Sequence, residues 1–228
     1  VTAALVTGAS RGIGRATAVE LARRGVALAL VARASKALDE TVELAREAGA
    51  PEAVGFACDL ADAQAVEATA YAVLSQFPAL GILVNNAGVA PRVSVEETRL
   101  DVWDETLAVN LRAPFLLTRA VLPAMRKNAR GRIVHVGSIS STLGTARLSA
   151  YCASKWGLVG FMKSLAEELS GSGVTTLAIL PGSTATRMLE GSGMPPRMTA
   201  EEVAATVAHY CLDASPAHNG AVIEMFGV

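Results

Sequence analysis

Short apolar runs alternate with longer stretches of helical spacing along nearly all 228 residues, and this alternation is what most limits the fold the chain can adopt. Strands are predicted at 3–7, 27–32, 53–57, 82–85, 132–136, 175–180 and 221–225. Helices are predicted around 13–24, 36–48, 62–76, 101–128, 151–170 and 200–213, where alanine, leucine and charged residues recur at helical spacing. A strand, helix, strand succession favours parallel pairing, because parallel neighbours need a long crossover. The fold class is therefore α/β, a parallel sheet with helices on both faces and right-handed crossovers. No linker, repeat or low-complexity segment divides the chain, so 1–228 is expected to form a single domain. The least regular stretch is 183–199, with Gly191, Gly193, Pro195 and Pro196. It reads either as a mobile loop over a site or as an inert surface excursion.

Apolar residues make up 51% of the chain and charged residues 18%, a balance that suits a buried core and excludes disorder. Twenty basic and 21 acidic side chains nearly cancel, so no nucleic-acid or anionic-membrane surface is expected from the totals. Cys58, Cys152 and Cys211 are far apart and form no CxxC motif, which fits free thiols in a reducing compartment. The apolar run from Val26 to Ala32 is too short to span a bilayer, and no basic leader precedes the first strand. The protein is expected to be cytoplasmic.

Between the first strand and the first helix the sequence reads LVTGASRGIGRATA, with glycines at 8, 12 and 14. A glycine turn there lets backbone approach a pyrophosphate, which then sits at the positive end of the helix. The spacing GxxxGxG is a variant of the usual dinucleotide fingerprint, and its place after a first strand is what gives it weight.

The second strand ends in LVARAS, and Arg33 stands nineteen residues after Gly14, where an acid would hold an adenosine ribose 2′-hydroxyl. A guanidinium there can instead form charge-assisted forked bonds with a 2′-phosphate, and Arg11 could assist from the glycine turn. The expectation is NADP(H), with NAD(H) possible. Alternatively both arginines are solvated loop charges.

SAYCASKWG, residues 149–157, places Tyr151 and Lys155 one helical turn apart beside small side chains. On its own this is equally a helix face with an aromatic anchor and a solvated charge. Chemically it suits hydride transfer, because a carbonyl receiving hydride needs a proton donor and an ordinary phenol is a sluggish one. An ammonium roughly 4 Å from a phenolate, at an effective dielectric of about 20, favours the ionised form by about 4 kcal/mol. Lys155 is therefore expected to draw the Tyr151 pKa towards neutrality, with desolvation opposing part of the shift. In the reverse direction the same phenolate would remove the alcohol proton.

The ordered set TGASRGIG at 7–14, DL at 59–60, NNAG at 85–88, VN at 109–110, GS at 137–138, YCASK at 151–155 and PGSTAT at 181–186 resembles the short-chain dehydrogenase/reductase family nearly end to end. The resemblance implies a Rossmann-type doubly wound sheet of seven mainly parallel strands, with Asn110, Ser138, Tyr151 and Lys155 as the catalytic group. It gives Lys155 a second task at the nicotinamide ribose, has Ser138 hold the substrate oxygen, and has Asn110 position water in a proton relay. Cofactor contacts are implied for Gly8, Ser10, Arg11, Gly12, Ile13, Gly14 and Arg33. Asp59 and Leu60 would flank the adenine, and Asn86, Ala87 and Gly88 would line the middle of the cofactor. Pro181, Gly182, Thr184 and Thr186 would meet the nicotinamide end, partly through backbone amides, with Thr184 standing where valine is usual.

The expected function is NADP(H)-dependent interconversion of a small carbonyl compound and a secondary alcohol. A β-ketoacyl acyl-carrier-protein reductase is the alternative within that class, and the basic run MRKNARGR at 125–132 could dock an acidic carrier or simply cap a helix. A sensor or scaffold that binds NADP(H) without catalysis is the alternative from another class. His135, His209 and His218 lack carboxylate or cysteine neighbours at ligand spacing, so no metal site is expected. Eighteen residues separate Gly182 from Glu201, short for the family, which implies an open site. Family members usually form dimers or tetramers, and the ending IEMFGV lacks the usual paired glycines, so a homodimer or homotetramer is expected without a choice between them.

Overall fold

Strands β1 (Ala3–Thr7) and β2 (Ala27–Ala32) are buried along their whole length. Alternate side chains enter opposite cores: Ala4, Val6, Leu28 and Leu30 face one layer, while Ala3, Leu5, Ala29 and Val31 face the other. Burial on both faces is why these strands read as unbroken apolar runs rather than as alternation. In the computed structural model, which describes residues 2–227, they are joined by β3 (Ala53–Ala57), β4 (Leu80–Asn85), β5 (Gly131–Val136), β6 (Val174–Pro181) and β7 (Val222–Met225). The seven strands lie in the order β3-β2-β1-β4-β5-β6-β7, and every pairing is parallel.

Helices α1 (Gly12–Arg23), α2 (Lys36–Glu47) and α7 (Ala200–Leu212) cover one face through Leu21, Leu38, Val42, Val203 and Val207. On the other face lie α3 (Ala63–Gln76), α4 (Leu100–Leu107), α5 (Ala113–Lys127) and α6 (Ser149–Glu168). Val66, Val73, Leu117, Val121, Leu165 and Leu169 fill the core beneath this second layer. Strand order reverses at β1, which has β2 on one side and β4 on the other, and such switch points open a crevice at the carboxyl ends of the strands.

The helix expected at 101–128 is not regular. Ala108–Arg112 form a π-helical segment, with the Ala113 N–H bonded to the Ala108 carbonyl five residues back. The cause lies in Pro114, which has no N–H to return to the Asn110 carbonyl in the α-helical pattern. Asn110 therefore sits in the widened turn.

Candidate active site

Turns after β1 and β4 meet in the crevice. Thr7 Oγ1 accepts bonds from the backbone N–H groups of Asn86 (3.0 Å) and Ala87 (3.1 Å), while Asn86 Nδ2 donates to the Thr7 carbonyl at 2.8 Å. Gly8 (φ +67°) and Gly12 (φ +54°) adopt left-handed backbone that a side chain would strain. Gly14 is required by packing, because a Cβ there would lie 2.3 Å from the Gly8 carbonyl oxygen. Helix α1 starts without a capping side chain or an acid in its first turn. Its first N–H groups and positive end thus suit a phosphate.

Arg15 braces this turn, donating to the Ser10 and Ala37 carbonyls at 2.8 Å and to Thr41 Oγ1 at 2.9 Å. Sequence reading missed it, as it missed Thr7, because neither belongs to the glycine spacing. Ser10 is largely buried and the partly buried Ile13 packs against the α1 core. Arg11 and Arg33 are exposed, and among the described residues neither makes a side-chain hydrogen bond or ion pair. The Cys58 N–H bonds to the Ala32 carbonyl at 2.9 Å, which sets Arg33 and Asp59 at adjacent strand ends. Leu60 turns into the core at 8% exposure. These residues together suit a dinucleotide.

Beyond β5, Ser138 opens a short 3₁₀ turn, accepting from the Ser140 N–H at 3.1 Å, and this directs it from the strand's carboxyl end towards α6. Tyr151 and Lys155 lie on the inner side of α6, at 7% and 3% exposure. The Lys155 ammonium stands 5.8 Å from the Tyr151 ring centroid and donates to the Val136 carbonyl at 2.8 Å. Gly88 passes so close that a Cβ would lie 3.6 Å from Lys155 Nζ.

Asn110, fully buried, accepts from the Val89 N–H at 2.8 Å and donates to the Val89 carbonyl and to Ser154 Oγ, both at 2.9 Å. Ser154 donates in turn to the Tyr151 carbonyl at 2.7 Å. The Asn110 side-chain amide thus bonds protein atoms through both its oxygen and its nitrogen, and Pro114 leaves the Asn110 carbonyl without its α-helical donor.

Electrostatics differ from the sequence expectation. Burial raises the Tyr151 pKa above its ordinary value, while a hydrogen bond from Ser138 and the charge of Arg92 work in the lowering direction. Lys155 is itself pushed down to about 8 by burial. The anticipated pull of Lys155 on the phenol assumed a head-to-head approach, whereas the ammonium is turned to the Val136 carbonyl and lies over the ring. Burial therefore dominates. Beneath them His135 is held neutral, pushed down to about 3 by burial and secondarily by the Lys155 charge.

After β6, Pro181 is buried as the last strand residue, and the Gly182 N–H is taken by the Met225 carbonyl at 2.8 Å. The Gly182 N–H is thus engaged in sheet pairing with β7. Ala185 N–H and the Ser183 carbonyl carry the bridge to Met198, in which the Thr184 N–H takes no part. Thr186 leans over the glycine turn, its methyl 3.2 Å from where a Gly12 Cβ would be.

A short chain dehydrogenase family model matches residues 2–195. The chain is 39% identical over 240 aligned positions to a D-threitol dehydrogenase of Mycolicibacterium smegmatis, covering 98% of this chain and 91% of the relative. It is 36% identical to a 3-oxoacyl-[acyl-carrier-protein] reductase of a Synechocystis species, covering 94% and 91% respectively. The crystal structure of a metagenomic short-chain oxidoreductase in complex with NADP superposes with a TM-score of 0.87 at 35% identity, covering 100% of this chain and 97% of that one. With its seven parallel strands, its glycine turn at the switch point and these relatives, the chain belongs to the short chain dehydrogenase family of oxidoreductases.

Proposed function

We propose that the protein interconverts a small carbonyl compound and a secondary alcohol with NADP(H), using Tyr151 as the proton donor and acceptor. The observation that carries this reading is the pair of buried side chains Tyr151 and Lys155, with the partly exposed Ser138 bonded to the Tyr151 phenol, beside the glycine-lined crevice. When bound, the nicotinamide supplies or accepts the hydride. Ser138 holds the substrate oxygen against the Tyr151 hydroxyl, which passes its proton to the developing alkoxide or takes one from the alcohol. Burial keeps the phenol protonated until negative charge forms next to it, and the hydrogen bond from Ser138 then favours the phenolate left behind. Lys155 would also reach the nicotinamide ribose. Asn110 acts as a positioning residue, and we assign its carbonyl, not its side chain, to the water of the proton relay.

The preference for NADP(H) rests on the exposed Arg33 and Arg11 flanking the expected 2′-phosphate site. Gly8, Ser10, Gly12, Ile13 and Gly14 would cradle the pyrophosphate, Asp59 and Leu60 the adenine, and Asn86, Ala87 and Gly88 the cofactor's middle. Pro181, Thr184 and Thr186 would border the carboxamide.

Reduction of a carrier-bound 3-oxoacyl group ranks second. In the basic run at 125–132, Arg126 donates to the Glu168 carbonyl and Arg132 to Thr175 Oγ1 and the Ala214 carbonyl, which leaves less free charge for an acidic carrier. A non-catalytic sensor ranks third, because all four catalytic candidates are present. We further infer a single domain, a homo-oligomer and a cytoplasmic location. Support for association comes from Phe115 and Trp156, 42% and 54% exposed, and support for a reducing compartment from three free cysteines. Screening a carbonyl and alcohol panel with both nicotinamides by absorbance tests the reading. Turnover with a preference for NADP(H) supports it, and tight cofactor binding without turnover of any compound would favour the sensor.

A further inference from the structure

The segment from Val89 to Val93 is strung along the first two turns of α6. At one end Asn110 grips both backbone groups of Val89 and bonds to Ser154, which is tied to the Tyr151 carbonyl. At the other end the Val93 N–H donates to the Arg147 carbonyl at 2.9 Å, and Val93 forms a parallel bridge with Leu148, the residue that precedes α6. Tyr151 lies between those two anchor levels. Arg92, the last residue before the Val93 anchor, is only partly exposed.

Among the described residues Arg92 makes no side-chain hydrogen bond and no ion pair, unlike Arg15, Arg24, Arg46, Arg99 and Arg119, each of which pairs with a carboxylate. The nearby carboxylate of Glu97 is already engaged by Ser94 at 2.8 Å and faces Arg147 at 3.9 Å. Arg92 nonetheless acts on the Tyr151 phenol, its charge favouring the ionised form. A partly exposed guanidinium with no counter-ion, carried on a strap pinned across the turns of α6 that hold Tyr151, is suited to an anionic group on the bound molecule. Its planar fork matches a carboxylate.

We infer that Arg92 is a specificity-determining residue whose guanidinium receives the carboxylate of a small oxo-acid or hydroxy-acid substrate, while Tyr151 and Ser138 face its carbonyl or hydroxyl oxygen. This rests on the carbonyl–alcohol reading above and narrows it to an acidic substrate class.

The test uses the NADPH-saturated enzyme and short oxo acids that differ in carbonyl position, each paired with its methyl ester. Wild-type kcat/KM should favour the acid over its ester by about tenfold or more for at least one carbonyl position. In Arg92→Gln that acid-to-ester ratio should fall by about tenfold, mainly through KM, and Arg92→Lys should restore part of it. A wild-type preference for the esters, or a ratio unchanged in Arg92→Gln, overturns the inference. Fluorescence titration of the cofactor complex with the same compounds separates the two readings. Arg92-dependent binding of acids with no turnover would sink the carbonyl–alcohol reading and leave only the Arg92–carboxylate contact standing. Turnover of neutral ketones with acids binding no better than esters would do the reverse.

Discussion

Lys155 stands over the Tyr151 ring, 5.8 Å from its centroid, with its ammonium bonded to a strand carbonyl instead of to the phenol oxygen. Both side chains are buried, so each resists its charged form. The phenol is thus held protonated and neutral, while Lys155, with a pKa of about 8, stays largely an ammonium at neutral pH.

Buried Lys155 makes stability depend on pH. Its folded pKa of about 8 lies below the ordinary 10.5, so the unfolded state binds the extra proton between those values. The penalty is full below pH 8 and is relieved as pH rises from 8 towards 10.5. Lys155→Met removes it. Urea unfolding of variant and wild type should therefore show a stability difference that changes in wild type's favour by up to about 3 kcal/mol across this window. A difference constant with pH would contradict the burial of a titrating ammonium.

Asn110→Leu should lower stability by about 3 kcal/mol in denaturant unfolding, since it leaves both backbone groups of Val89 and the Ser154 hydroxyl short of partners. It should also lower kcat more than it raises KM for cofactor. A loss below about 1 kcal/mol would show that the Val89 clamp is replaceable by water.

Gly14→Ala places a methyl against the Gly8 carbonyl and Asn86 Nδ2, forcing α1 away from the turn. Cofactor affinity should fall by about tenfold or more, with about 1–3 kcal/mol of lost stability. Calorimetric binding at wild-type strength would show that the turn does not hold the pyrophosphate.

Arg33→Asp replaces a free guanidinium at the end of β2 with a carboxylate suited to a ribose hydroxyl. The ratio of kcat/KM for NADPH over NADH should drop by about tenfold or more. Unchanged discrimination would remove Arg33 from the 2′-phosphate site.

Most of the sheet was legible because strands buried on both faces announce themselves as apolar runs, as β1 and β2 do, and the partly exposed edge strand β3 also falls where its run does. Strands β4, β5 and β6 begin earlier or end later, as β4 does by starting at Leu80, since backbone pairing extends past the apolar stretch, whereas β7 starts one residue later than expected, at Val222. The π-helical turn at Asn110 was marked only by Pro114 inside a helical run, a signal easily read as an ordinary first-turn proline. The roles of Thr7, Arg15 and Ser154 come from contacts between turns distant in sequence, which spacing does not encode. The acidity of Tyr151 was misjudged for the same reason: helical spacing puts Lys155 on the right face but does not say where its ammonium points.

The most direct test compares Tyr151→Phe with wild type on a substrate found in the carbonyl and alcohol screen, with cofactor affinity measured on the same samples. Turnover should fall by at least about a hundredfold while the dissociation constant for NADPH changes little, because only the proton-exchanging hydroxyl is lost. Retention of appreciable turnover by Tyr151→Phe would contradict the assignment of Tyr151 as the acid and base.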